Sequence, residues 1–163
     1  MSKFIKAALA SSVLVASAMG ATAARADTAT ADAKANILAQ VSVDSDESAL
    51  DFGTIVTGTT ASTVAVNAAG SVTCGSGLVC SGTTTAAGFD VSGTTGEVVD
   101  ISVDSSVTLT GPSDTMTASL SVSDSTLTLA GGDSFSVGGI LNVGANQADG
   151  AYVGTFNVAV NYQ

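Results

Sequence analysis

GAYVGTFNVAVNYQ, residues Gly150 to Gln163, alternates almost without interruption from Tyr152 onward. Tyr152, Phe156, Val158, Val160 and Tyr162 share one parity, while Thr155, Asn157, Ala159 and Asn161 share the other. A period of two places successive side chains on opposite faces of a pleated strand, so the pattern predicts a long strand with one buried side. Val153 interrupts the polar face, and Gly154 leaves a gap in the apolar one. A closing run this long and this regular is expected to sit inside a sheet rather than fray. The chain therefore reads as a β protein.

Its 163 residues suffice for one domain with a substantial core. Lys3 and Lys6 precede an apolar run from Ala7 to Ala18, and the small residues after it end in Ala24-Arg25-Ala26. That is the layout of a secretory signal helix cleaved after an A-x-A site, here spanning residues 1–26, and it is too short for a convincing membrane span. No further membrane-insertion candidate follows. Removing 26 of the 163 residues leaves a mature chain of 137. Lys3, Lys6 and Arg25 go with the signal, so Lys34 is the one remaining cation against fourteen carboxylates. A chain so acidic is a poor partner for nucleic acid or an anionic membrane, both of which require positive charge.

Cys74 and Cys80 are the only cysteines. In an exported protein an even pair spaced this closely reads as a disulfide, with Gly75 and Gly77 letting the small loop close. Two thiols without any histidine cannot complete a tetrahedral metal site, and a redox pair prefers C-x-x-C beside a helix.

Residues 27–36, DTATADAKAN, form a polar, alanine-rich leader ahead of a single domain spanning 37–163. Ile37 to Val43 is expected to be the first strand, followed by an acidic turn at Asp44-Ser45-Asp46-Glu47. This turn contains a D-x-D element but lacks the rest of a calcium-loop spacing, so it reads as solvated. Further strands are expected around Val64 and Val66, Phe89 and Val91, and Val99 to Val103. Val107 with Leu109, Met116 to Val122, Leu127 with Leu129, and Phe135 to Val143 continue the series. Short strands separated by Gly, Ser and Asp turns predict an all-β sandwich or barrel. Phe52, Phe89, Phe135 and Phe156 each occupy an apolar parity and are expected to share one core.

Three segments resemble a bacterial family catalogued as domain of unknown function 4402. They are Leu50-Asp51-Phe52-Gly53-Thr54, then Phe135-Ser136-Val137-Gly138-Gly139-Ile140-Leu141, and the closing run Gly150 to Tyr162. That family is similar to fimbrial subunits of the common-pilus, chaperone–usher type. Gly150, fourteenth from the end, and the penultimate Tyr162 resemble the C-terminal signature of those subunits. The resemblance implies an antiparallel immunoglobulin-like sandwich of the pilin kind. Gly150, Tyr152, Phe156, Val158, Val160 and Tyr162 would then form its assembly strand. It also implies partners: other copies of the chain or further pilus subunits, a periplasmic chaperone and an usher. The route would run through the periplasm to the cell surface. The donor strand for a neighbour would come from Ala31, Ala33, Ala35 and Ile37, whose alternation continues through the leader.

Catalysis is not expected. There is no histidine for general-base work, and the two glutamates and twelve aspartates are scattered at turns. No cofactor motif follows a strand-to-helix pattern. Two other readings remain beside the fimbrial subunit: a self-contained secreted binding module or adhesin, and, remotely, an extracellular glycan-active enzyme relying on a carboxylate pair.

Overall fold

The computed structural model describes residues 26–163, so the signal reading, but for Ala26, lies outside the described residues. The chain divides between Ala35 and Asn36 into two units. In the first unit, residues 26–35 form no helix or strand.

In the second unit every regular element is a strand, and every pairing is antiparallel. The largest sheet is built around β11 (Asp133–Val143), whose inward parity, Phe135, Val137, Leu141 and Val143, is buried throughout. On one edge β11 pairs first with β6 (Ala87–Ser92) and then with β3 (Ser62–Val66), changing partner at Gly138. On the other edge it pairs with β9 (Thr115–Val122), which pairs in turn with β8 (Ser106–Thr110). β1 (Ser42–Ser45) flanks β6, and β4 (Val72–Cys74) flanks β3. A three-stranded sheet runs in the order β10 (Thr126–Thr128), β7 (Val98–Val103), β12 (Val158–Tyr162). β2 (Thr54–Val56) and β5 (Val79–Ser81) form a third, small sheet.

Alternation buries one face of each of the two larger sheets, and the buried residues gather in two clusters. Val99, Ile101 and Val160 from the three-stranded sheet meet Val91, Phe135 and Val137 in the first. Phe52, Val64, Val107, Ala118, Leu141 and Val143 form the second. Leu50, Leu120 and Phe156 pack against both. The four phenylalanines therefore do not share one core. Phe89 stacks on its ladder partner Phe135 at 5.3 Å and meets Phe156 edge-on at 6.3 Å, whereas Phe52 belongs to the other cluster. The sequence shows which parity is apolar, but it does not show that the interior divides.

The remaining strand readings hold in place and parity, apart from both ends of the domain. The first strand is Ser42–Ser45 rather than Ile37 to Val43, and Ile37 is 91 % exposed. Ahead of β1, the Ala39 N–H donates to Thr94 Oγ1 at 2.7 Å and the Ala39 carbonyl accepts from Tyr162 Oη at 2.8 Å. Side chains thus occupy the backbone groups that a ladder would use.

The closing run is also not one long strand, and it lies at a sheet edge, not at a centre. Val153 exchanges backbone hydrogen bonds with Thr110, and the Asp104 N–H donates to the Asn157 carbonyl. Between those points the β7–β8 side has more residues than the C-terminal side, so the ladder cannot stay in register until Val158. Asp104 Oδ2 spans the irregularity by accepting the Asn157 backbone N–H at 2.8 Å and its side-chain amide at 3.0 Å.

Candidate functional site: an apolar cleft between a strand edge and an irregular wall

Leu50-Asp51-Phe52-Gly53-Thr54 turns sharply for a local reason. Asp51 Oδ1 accepts the Gly53 N–H at 2.8 Å, and Gly53 has φ +73°, a conformation that favours glycine. Phe52 and Leu50 face inward while Asp51 between them is exposed. The run is held along one edge only: Asp51 bridges Thr85, and β2 continues against β5. The Cys74–Cys80 disulfide ties β4 to β5 and so fixes the support behind this edge.

The facing wall is residues 147–152. Gln147 anchors it, with Nε2 donating to Asp114 Oδ2 at 2.8 Å and to Tyr152 Oη at 3.0 Å. Gln147 Oε1 in turn accepts the Gly144 N–H, and Tyr152 Oη donates to the Ala148 carbonyl at 2.8 Å. Gly150 has φ +141°, and a Cβ there would stand 2.6 Å from Pro112 Cδ. Only glycine lets the wall turn and lie against the β8–β9 hairpin. Beyond it, the wall is tied to β8 through the single Val153–Thr110 bridge.

Between the two walls lies a cleft of 730 Å³, floored by Leu109, Met116, Leu141 and Val143 from β8, β9 and β11. The Asn146 N–H donates to the Gly58 carbonyl at 2.9 Å and joins the walls beyond Val56 and Thr57. Asp51 and Asp149 stand on opposite walls, both exposed. An apolar floor beside a strand that is paired along one edge only, and faced by an irregular wall, can accept an extended peptide. Its backbone would hydrogen-bond to the walls, and alternate side chains would face the floor.

The residues expected to form one assembly strand are divided by the fold. Gly150 and Tyr152 line the cleft, Phe156 joins the two core clusters, and Val158, Val160 and Tyr162 belong to β12. Cys74 and Cys80 are disulfide-bonded, and no free cysteine occurs among the described residues. Ala31, Ala33 and Ala35 lie in a stretch without strand structure, and Ile37 has no ladder partner. The floor residues are absent from the expected site. They come from three separated strands, and nothing in their local pattern distinguishes them from ordinary core. Among the described residues no three His, Cys, Asp or Glu converge to hold a metal ion, and no helix is long and apolar enough to cross a membrane.

A family model described as "Domain of unknown function (DUF4402)" matches residues 38–162. No curated protein and no solved structure gives a significant match.

Proposed function

Because the chain belongs to the DUF4402 family, whose description assigns no activity, we propose from the geometry that it is an exported structural subunit assembled by β-strand addition. In this reading the sheets form an immunoglobulin-like sandwich with one strand position empty. That position is the cleft between residues 50–57 and 147–152. Another copy, or a related fimbrial subunit, supplies the missing strand from residues 27–37, and a periplasmic chaperone and usher handle the subunit before assembly. The surface of the cell is its destination.

The observation that carries this reading is the first cleft wall, bonded along its outer edge only through Asp51–Thr85 and β2–β5, beside a floor of four apolar side chains. The longer wall has eight residues, at most about 26 Å at roughly 3.3 Å per residue, so it can accept no more than about eight of the eleven residues 27–37 in extended form. Ile37 adds a large apolar side chain that its own domain does not bury. Buried alanines contribute far less than a valine or leucine, so Ile37 is the anchor of such a donor.

A second reading rests on the Asn146–Gly58 hydrogen bond, which closes the cleft at one end. A closed-ended cleft of 730 Å³ also suits a small apolar ligand held by a monomeric binding module. Deleting Asp27 to Ile37 from the mature chain separates the two. Strand addition requires that polymers disappear and that a synthetic peptide of residues 27–38 raise the melting temperature of the deleted chain. A deleted chain that stays monomeric, melts as before and ignores the peptide supports the binding module instead.

A further inference from the structure

We propose that Lys34 sets the register in which one copy's leader enters the cleft of the next, by lying between Asp51 and Asp149 on the rim. This rests on the strand-addition reading and adds to it the chemistry that selects the donor.

In the leader, Ala29, Ala31, Ala33, Ala35 and Ile37 share one parity, and Thr30, Asp32, Lys34 and Asn36 share the other. With the alanines turned to the floor, the polar set faces solvent. Asp51 and Asp149 are the two carboxylates among the residues lining the cleft, one on each wall, and both are exposed. Side chains on one face of adjacent strands stand about 5 Å apart at Cβ, well within reach of a lysine. Lys34 is also the only cation in the sequence beyond Arg25, in a chain with fourteen carboxylates. Its position in the donor, and not on the domain surface, is what a charge-selected strand requires.

Register needs such a device here. A strand slipped by two residues keeps the same parity inward, and the four alanines pack almost identically before and after the slip, so Ile37 alone on the apolar face distinguishes the registers. On the polar face the charges do. A two-residue slip replaces Lys34 by Asp32 or Asn36, so it either sets a third carboxylate between Asp51 and Asp149 or removes the attraction. Ile37 fixes the end of the donor, and Lys34 rejects the neighbouring registers.

The test measures polymer formation by the mature chain in light scattering and size-exclusion chromatography, at low and at high salt. Lys34→Glu should weaken assembly about tenfold at low salt, and the deficit should shrink as salt screens the rim. Combining Lys34→Glu with Asp149→Lys should restore assembly, while Asp149→Lys alone should impair it. An unchanged thermal melt for Lys34→Glu shows that the domain itself is intact. Assembly by Lys34→Glu equal to the parent at low salt, or no rescue by the reversed rim, overturns the register proposal while leaving strand addition standing. A parent chain that never polymerises overturns both.

Discussion

The Tyr162 hydroxyl binds the two ends of the domain together: it donates to the Ala39 carbonyl at 2.8 Å and accepts the Thr94 N–H at 2.7 Å. Thr94 closes the triangle, since its Oγ1 accepts the Ala39 N–H. The penultimate aromatic residue is thus the fastening point of the segment just after Ile37. Its ring packs against the first core cluster.

Tyr162→Phe keeps the ring and removes both hydrogen bonds. The change leaves a half-buried Thr94 N–H without its acceptor, which should cost about 1–3 kcal/mol. Urea unfolding of the two proteins measures the difference. Equal midpoints would show that water replaces the hydroxyl without loss.

Phe156 touches both clusters, so truncating it loosens two contact sets at once. Phe156→Ala should destabilise by about 3 kcal/mol, at the low end for a core phenylalanine because the ring is half-buried. Ile140 points outward from β11 and is 48 % exposed, so Ile140→Ala should stay within about 1 kcal/mol. Comparable losses from the two would contradict the assignment of faces.

Reducing the Cys74–Cys80 bond opens a loop whose cysteines are six positions apart. The loop-length relation gives about 2–2.5 kcal/mol of lost stability. Intact mass after alkylation without reductant should show no labelled thiol. With reductant two labels should appear and the melting temperature should fall.

Gly150→Ala forces a Cβ against Pro112 and a side chain onto φ +141°. Such strain costs about 1–3 kcal/mol, and it falls on the cleft wall. The variant should be less stable and should also bind the leader peptide more weakly. Gly96 has a positive φ in open space, so Gly96→Ala should show a smaller loss and unchanged peptide binding.

By itself the sequence determined most of the strands and their buried faces, but not β4 and β5, which carry the two cysteines. Val99, Ile101, Phe135, Val137, Leu141 and Val160 were identifiable from alternation because a strand's period of two is a local property. The disulfide was legible for a similar reason, since a pair of cysteines this close has few alternatives. Tertiary structure decided three other matters. Alternation at Ile37 to Val43 and at Tyr152 to Tyr162 specified faces but not partners, and both runs shortened where backbone groups found other acceptors and donors. Two core clusters replaced one because Phe52 and Phe135 meet different neighbours across the sheets. The cleft was invisible for the same reason. Its walls are about ninety residues apart in the chain, and its floor becomes a surface only where the 50–57 edge and the irregular segment 147–152 stand apart. Periodicity says which side of a strand is apolar, whereas what covers that side depends on contacts far apart in the sequence.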